Sequence, residues 1–281
     1  MKQRGTLNNA AFAEYLYHVP TDTPLLQEAE ERQKRILDAD YNAVDIDTFV
    51  ATLTHLNDDE KTKLTQTLKR HMTLFGGGLG TLNIKPVHLE LSANAKPYHA
   101  RPFPIPQAYE AVTKKEIERL VRIHVLRKCY ESEWAAPTFI QPKKTGDVRV
   151  LTDFRQLNKF LVRKPFPLPK ISDLLQKLQG FTYATAIDLS MGYYHIPLDK
   201  YSQMLCTMIL PWGKYQYEHL PMGITSSPDV FQSIMMEILG DLAYARVYID
   251  DILVTSSGSY EDHLEKLHEV LSQLESTGKC L

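Results

Sequence analysis

Cysteine is scarce in this chain, and that scarcity excludes several kinds of site. The 281 residues include three cysteines, Cys129, Cys206 and Cys280, and no two of them stand at the spacing of a zinc clip. An odd and widely separated set offers no disulfide framework. The sequence therefore favours a reducing, intracellular setting, with cytoplasm and nucleus left undecided.

Long apolar runs are missing as well. No stretch approaches the roughly 18 uninterrupted apolar residues that a membrane span needs, and the N-terminus lacks a charged-then-apolar signal pattern. Apolar residues still make up 43% of the chain, which is enough to build a buried core. We expect a soluble globular protein with no membrane partner.

The chain has almost no excess of either charge, because its acidic and basic residues nearly balance and the formal net charge is only -2. The balance hides a local excess, since residues 26–60 carry ten acidic and three basic side chains, whereas residues 141–170 carry eight basic and two acidic ones. The basic side chains are Lys143, Lys144, Arg149, Arg155, Lys159, Arg163, Lys164 and Lys170. Such a stripe is either a solvated face, the commoner case, or a track for phosphates.

The order of segments predicts an α+β fold. Residues 1–60 are polar and acidic and are interpreted as an N-terminal extension or linker, with the main domain at 61–281. Beyond residue 137, short β-prone runs joined by short turns predict an antiparallel sheet. These runs are 138–141, 148–152, 182–188, 206–210, 215–219, 246–249 and 252–255. Predicted helices include one from about Asn57 through Met72 and those at 109–125, 171–178, 229–239 and 260–274.

Three aspartates could carry chemistry. Asp250 and Asp251 separate two β-prone runs, which predicts a hairpin with an acidic tip. An ordinary turn is the alternative, since Asp favours turns, but two adjacent like charges in a half-buried place require a cation to offset their repulsion. Asp188 closes another β-prone run, so a strand beside the hairpin would bring three carboxylates together as ligands for two Mg²⁺ ions. That arrangement suits phosphoryl transfer.

Four segments resemble the motifs of reverse transcriptases, especially those of gypsy-type LTR retrotransposons. The segment 248–251, Tyr-Ile-Asp-Asp, is similar to the Tyr-X-Asp-Asp box of that family. Segments 148–159, 186–199 and 215–232 resemble three further motifs, in the family's order and approximate spacing across about 137–274. A weaker similarity reaches back through Glu116 to Pro137, and within it Glu133 replaces a proline of the family's pattern at 132–137.

The resemblance implies a fold and an activity. The fold would be a right-hand polymerase with fingers and an antiparallel palm sheet, core motifs at 137–281, and no thumb or RNase H. The activity would be that of an RNA-directed DNA polymerase, which adds dNTPs to a primer 3′-hydroxyl. Implied partners are an RNA or DNA template with its primer, and the rest of the Pol polyprotein, namely thumb, RNase H and integrase.

Site residues are implied in the same way. Asp188, Asp250 and Asp251 would be the catalytic carboxylates and, with the backbone carbonyl of Leu189, would hold two Mg²⁺ ions, with Mn²⁺ as a substitute. Nucleotide-binding residues would be Lys143, Arg149, Leu189, Tyr193, Met222 and Gly223. Lys144 competes with Lys143 for its role. Tyr193 matches the family's aromatic gate against the sugar 2′-hydroxyl, with a core tyrosine as the alternative.

The sequence allows two interpretations besides a working polymerase. The first is a truncated retroelement remnant that folds and binds nucleic acid without polymerising alone, and the intact motifs do not exclude it. The second is an RNA-templated RNA polymerase with the same palm, which Tyr193 and the fingers motif disfavour. We therefore expect a reverse transcriptase fragment, with the remnant as the alternative.

Overall fold

The computed structural model describes residues 43–143, 146–169 and 180–278, and its elements belong to the unit Tyr41–Leu281. Lys144 and the predicted helix at 171–178 lie outside the described residues. The strands predicted at 138–141 and 148–152 are present as Ala136–Pro142 and Val148–Thr152. Short alternating runs thus predicted strand positions to within about two residues.

Two helices precede the sheets. Helix α1 is Ile46–Ala51 and helix α2 is Asp58–Lys69. Asn57 caps α2 through a reciprocal pair of hydrogen bonds with Glu60, each 2.9 Å long. Because Ile46 of α1 is buried in the core, α1 packs against the rest of the described domain. The predicted boundary between residues 60 and 61 stays a prediction.

A five-stranded sheet lies in the middle of the described chain. Helix α3, Gln107–Arg122, leads into it. Its strands are β1, Leu126–Lys128; β2, Ala136–Pro142; β3, Val148–Thr152; β5, Thr207–Leu210; and β6, Gly213–Tyr217. The order is β1-β6-β5-β2-β3, and every neighbouring pair is antiparallel except β2 with β5. Strands β2 and β3 form a hairpin at one edge.

A second, three-stranded sheet carries the aspartates. Its strands are β4, Tyr183–Asp188; β7, Ala245–Tyr248; and β8, Asp251–Ser256. They are antiparallel in the order β4-β8-β7. The described residues contain four further helices and one 3₁₀ turn: α4, Arg155–Asn158; the 3₁₀ turn, Gly192–His195; α5, Lys200–Leu205; α6, Ser227–Leu239; and α7, Tyr260–Ser276.

One face of the three-stranded sheet is covered and the other is open. Side chains alternate between faces along a strand, so Val247, Ile252 and Val254 share the covered face and are buried. Helices α6 and α7 pack there, and the apolar side of α7 places Leu267 and Leu271 in the core. The opposite face remains available to a ligand, and Asp188 lies on it.

The start of α6 differs from the sequence expectation. The sequence predicted this helix at 229–239, but it begins at Ser227, and its N-cap, Ser226, makes no capping hydrogen bond through its side chain. Pro228 lies in the first turn. The Ser227 hydroxyl instead donates to the Pro221 carbonyl at 2.9 Å. This hydrogen bond holds the loop before the helix against the first turn.

The last helix is tied to the first ones across most of the chain. His71 contacts Glu275 at 2.8 Å and His268 at 2.7 Å through its two ring nitrogens, and Lys63 pairs with Glu261 at 2.7 Å. Residues nearly 200 positions apart therefore support the same side of the fold. Among the helices of the described residues, none is both long enough and apolar enough to cross a bilayer.

Candidate active site

The pairing register brings the predicted carboxylates together. Asp188 at the end of β4 is the direct partner of Asp251 at the start of β8, and Tyr248 is the partner of Asp251 on β7. Directly opposed residues in antiparallel strands project from the same face, so these three side chains form a row across the open face. Asp250 occupies the turn beside that row, and its carbonyl accepts a hydrogen bond from Leu189 N at 2.9 Å.

The turn that holds Asp250 is strained. Tyr248 and Asp251 close a two-residue hairpin loop, and the first loop residue, Ile249, has a φ of 54°. A positive φ at that position alone is the pattern of a type II′ turn, in which glycine is usual. A β-branched residue in the left-handed region is an outlier that costs about 1–3 kcal/mol. Such strain persists only when the surroundings impose it, and it is concentrated at functional sites.

A glycine allows the 3₁₀ turn to approach the hairpin. A Cβ on Gly192 would stand 3.0 Å from the Phe231 ring and 3.6 Å from the Asp250 Cβ. Met191, immediately before it, also has a left-handed φ, of 55°. Two of the three non-glycine residues with positive φ in the described chain therefore flank the carboxylates.

Tyr193 lies against the same group of residues. Its ring meets the Phe231 ring edge-on, with centroids 5.4 Å apart. Burial, followed by the negative charge of Asp250 and the neighbouring Tyr248, raises the pKa of Tyr193 to about 12. The phenol is therefore neutral at physiological pH. Its contact with Phe231 agrees with a packed tyrosine, and its closeness to Asp250 agrees with a wall of the nucleotide pocket.

Lys143 and Arg149 belong to the β2–β3 hairpin. Arg149 is on β3 opposite Gln141, and Lys143 stands just beyond β2, where its N–H donates to the Asp147 carbonyl at 2.7 Å. Both side chains are half-buried. The hairpin thus places the two predicted triphosphate-binding cations on one element.

The remaining basic stripe is partly used in structural pairs. Arg155 pairs with Asp153 at 2.6 Å, Arg163 with Asp229 at 2.7 Å, and Lys164 with Glu90 at 2.9 Å. The Arg155 hydrogen bonds hold the pKa of Asp153 below its usual value. Arg155 and Lys164 are largely exposed, which agrees with a solvated face, so the composition of the stripe alone does not define a track for phosphates.

A loop next to β3 carries the last two predicted residues. Gly223 has a φ of 89°, and a Cβ there would stand 3.4 Å from the Thr152 carbonyl, so glycine suits both the backbone and the space. Met222 beside it is 41% exposed and is available as pocket wall. Asn158 holds the loop, because its amide donates to the Gly223 carbonyl at 2.7 Å and accepts from Thr225 N at 3.0 Å.

Two polar residues at the site had no predicted role. Asn158 holds the Gly223 loop, and Gln232 on α6 hydrogen-bonds the backbone of the aspartate hairpin. One signal was available for Gln232, since it stands three residues before Met235 and seven before Leu239, on the apolar side of an amphipathic helix. A polar residue at such a position needs a buried partner.

The donor set suits a hard divalent cation in its chemistry. Asp188, Asp250 and Asp251 offer carboxylate oxygens, and opposed like charges on paired strands are destabilising unless a cation offsets them. Within the residues that the structure describes, no three acidic, histidine or cysteine side chains already stand at ligand distance from a common point. Asp188 and Asp251 are neighbours across the paired strands, and Asp250 lies in the adjoining turn.

Comparison with known proteins identifies the family. The profile of the family described as reverse transcriptase (RNA-dependent DNA polymerase) matches residues 141–281, about half of the chain. The chain belongs to the reverse transcriptase family. The predicted resemblance is confirmed at this level, and the gypsy-type branch stays a prediction.

Relatives of this reverse transcriptase chain are transposon polyproteins. It is 29% identical over 231 residues to the retrovirus-related Pol polyprotein from transposon 297 of Drosophila melanogaster, covering 79% of this chain and 22% of that protein. It is 31% identical over 197 residues to the transposon Tf2-3 polyprotein of Schizosaccharomyces pombe, covering 69% of this chain and 15% of that one. The chain therefore spans less than a quarter of the length of these relatives.

Solved reverse transcriptase structures share the fold. The foamy viral protease-reverse transcriptase in complex with an RNA/DNA hybrid aligns with a TM-score of 0.76 at 24% identity, over 83% of this chain and 32% of that one. The same protein in complex with dsDNA aligns with a TM-score of 0.73 at 25% identity, over 83% and 49% of the two chains. The predicted α+β fold, with fingers and a palm sheet, is confirmed.

Proposed function

We propose that this chain is the fingers and palm of a retrotransposon reverse transcriptase and that it adds dNTPs to a primer 3′-hydroxyl. The observation that carries the proposal is the register that sets Asp188 opposite Asp251, with the Asp250 carbonyl hydrogen-bonded to Leu189. Strand pairing thus sets Asp188 beside Asp251 at one end of the sheet, with Asp250 in the adjoining turn. The family membership supplies the reaction class.

The cation site is assigned to the three aspartates and the Leu189 carbonyl. Bound there, two Mg²⁺ ions, or Mn²⁺ in their place, would activate the primer hydroxyl and neutralise charge on the triphosphate. Asp188 and Asp251 bind from neighbouring strands, and Asp250 binds from the turn. The Ile249 backbone fixes the direction in which Asp250 leaves the hairpin.

The nucleotide lies between the fingers hairpin and the palm in this proposal. Lys143 and Arg149 bind the triphosphate, for which the planar fork of arginine suits a pair of phosphate oxygens. Tyr193 restricts the sugar 2′ position. Gly223 permits the close approach of the loop backbone, and Met222 contributes apolar wall.

The partners follow from the same assignment. The two foamy viral structures hold an RNA/DNA hybrid and dsDNA, so a primer paired to an RNA or DNA template is the substrate that we assign to the open face. The remaining parts of a Pol polyprotein, namely thumb, RNase H and integrase, are proposed partners, and an intracellular setting is proposed with them. Residues 1–60 are assigned to an extension before the polymerase.

Primer extension under single-turnover conditions tests the proposal. With protein in excess over a primer on an RNA template, the chain should extend the primer in a Mg²⁺-dependent way, and Asp250→Asn should slow extension by at least about 100-fold. Asp241→Asn is the matched control, because Asp241 is an exposed acid beyond the far end of α6. Equal rates for the two variants would refute the catalytic assignment. Extension by neither variant nor parent, with a normal fold, would favour the remnant.

A further inference from the structure

One buried amide holds both sides of the aspartate turn. Gln232 is 0% exposed on α6. Its Oε1 accepts a hydrogen bond from Ile249 N at 2.7 Å, and its Nε2 donates to the Val247 carbonyl at 3.1 Å. A single side chain therefore satisfies a backbone donor and a backbone acceptor on either side of Tyr248.

The location of β7 explains why the turn needs this support. Among the described residues β7 is an edge strand of its sheet, so no neighbouring strand of that part of the chain binds its outward backbone groups. The Gln232 amide takes the place of that strand at the end next to the aspartates. Reversing the amide would set donor against donor and acceptor against acceptor, so the arrangement holds in one orientation only.

The contact with Ile249 falls on the strained residue. Ile249 has the left-handed φ that a β-branched side chain disfavours, and its N–H is the group that Gln232 binds. The opposite side of the turn is held by the hydrogen bond from Leu189 N to the Asp250 carbonyl. The turn is thus fixed from the helix beneath it and from the strand beside it.

We propose that Gln232 is a positioning residue that imposes the left-handed turn at Ile249 and thereby sets Asp250 and Asp251 relative to Asp188. This inference rests on the proposed function for its catalytic consequence. Gln232 touches neither substrate nor cation; it acts through the backbone of the hairpin. Its loss should disturb cation binding and turnover more than nucleotide binding.

Three variants separate positioning from general stability. Gln232→Met keeps the volume and removes both hydrogen bonds, while Gln232→Glu keeps the acceptor and removes the donor. Gln203→Met is the matched control, because Gln203 is also buried, at 7% exposed, and its amide donates to a backbone carbonyl, that of Leu198, at 2.9 Å. Both methionine variants lose a buried glutamine, but only one of these glutamines contacts the hairpin.

The measurements are Mn²⁺ binding by electron paramagnetic resonance, kcat and KM for dNTP, thermal unfolding, and hydrogen exchange of the Ile249 amide. Gln232→Met should weaken Mn²⁺ binding and lower kcat by roughly 10–100-fold, with little change in KM. It should also speed exchange at Ile249. Gln232→Glu should have a smaller effect on Ile249 exchange, because the acceptor is kept. Gln203→Met should lose thermal stability and change none of the other quantities.

A rescue completes the test. Ile249→Gly, added to Gln232→Met, removes the need to force an isoleucine into the left-handed region and should restore part of the Mn²⁺ affinity. Wild-type exchange at Ile249 and unchanged Mn²⁺ affinity in Gln232→Met would overturn the proposal, as would equal effects of Gln203→Met. Failure of the proposed function has a different signature, since Asp250→Asn would then match the parent in extension while Ile249 exchange still reported on Gln232.

Discussion

Ile249 adopts a backbone conformation that its own side chain disfavours. The residue stands between Tyr248 and Asp250, so the strain falls next to the groups assigned to chemistry. A glycine would meet the geometry with less strain but would leave the turn free to adopt others. The isoleucine also packs against the core, so it ties the direction of the carboxylates to the packing beneath them.

The aromatic ring of Tyr193 provides a residue-scale prediction on sugar selection. Tyr193→Ala should raise the kcat/KM for ribonucleotides relative to deoxynucleotides by roughly tenfold or more, because the ring no longer fills the space next to a 2′-hydroxyl. Tyr193→Phe is the control, since it keeps the ring and should keep the selection. Competition between labelled nucleotides in primer extension measures the ratio.

The ionisation of Tyr193 sharpens this prediction. Its pKa is raised to about 12, so the hydroxyl stays protonated between pH 7 and 9. Sugar selection should therefore be constant over that range. An unchanged ribonucleotide ratio in the alanine variant would remove Tyr193 from the gate and leave it as a packed tyrosine against Phe231.

Gly192 gives a second prediction at this scale. Gly192→Ala should lower the free energy of unfolding by about 1–3 kcal/mol, because the new methyl meets the Phe231 ring at 3.0 Å and must displace the ring or the 3₁₀ turn. Gly78→Ala is the matched control, since a Cβ there meets nothing within 4 Å. Urea denaturation of both variants measures the difference. Equal stabilities would mean that the ring yields without cost.

At the scale of elements, α6 connects the site to the rest of the fold. Its first turn holds Asp229, which is 2% exposed and accepts from Arg163 at 2.7 Å and from Phe166 N at 3.0 Å. Its next turn holds Gln232 beneath the aspartate hairpin. One helix therefore fastens the segment after α4 and supports the turn that carries Asp250.

The Asp229 pair predicts a dependence of stability on pH. The Arg163 hydrogen bond, opposed by burial, lowers the pKa of Asp229, so its contribution is complete above the unfolded value of about 3.9 and is lost as pH falls through the folded pKa. Asp229→Asn should cost about 1–3 kcal/mol at pH 7, because Arg163 is half exposed and solvent weakens the pair.

The measurement is urea denaturation of the parent and of Asp229→Asn from pH 7 down to pH 3. The stability difference should shrink only below about pH 4. Asp241→Asn, just beyond the other end of α6, should show no such difference at any pH. A gap between parent and Asp229→Asn that persisted to pH 3 would contradict the assigned cause.

Elements with a regular pattern were predictable from the sequence. The strand expected at 148–152 is Val148–Thr152, and the hairpin expected at 246–249 and 252–255 is Ala245–Tyr248 with Asp251–Ser256. Strand β1 has three residues and helix α5 has six, which is too short for a period to appear. Their existence depends on partners distant in the chain.

The sequence was enough to predict the three aspartates of the candidate site. It was less informative about the residues that hold the aspartate hairpin in place. Adjacent aspartates at a hairpin tip and a third at a strand end imply a cation, so Asp188, Asp250 and Asp251 could be named before the structure. The position of Gln232 on the apolar side of α6 indicated that it needs a buried partner, but its partners Val247 and Ile249 are 15 and 17 residues away and no local pattern identifies them.

At the scale of the whole molecule, early and late parts of the sequence share one support. Helix α2 and the residues after it contact α7, through Lys63 with Glu261 and His71 with Glu275. Helix α7 in turn covers the sheet that carries the aspartates. We therefore expect the first helices and the palm sheet to unfold together.

A His71 variant tests this cooperativity. His71→Leu removes two contacts of a buried side chain and should lower the free energy of unfolding by about 1–3 kcal/mol. Circular dichroism, which reports the helices, and the fluorescence of Trp134 and Trp212 should lose their signals in one coincident transition. His55→Leu, at an exposed position, is the control. Separate transitions for the two probes would show that α2 and the sheets are independent.

The contact between His71 and Glu275 joins residues 204 positions apart, so it can form only late in synthesis. All three strands of that sheet leave the ribosome before α7 does, so for a time only α6 can cover their apolar face. Until residue 275 has emerged, the exposed part of that apolar face can pair wrongly with other apolar segments. A ribosome stalled between β8 and α7 would hold every aspartate of the site on a sheet not yet backed by its last helix.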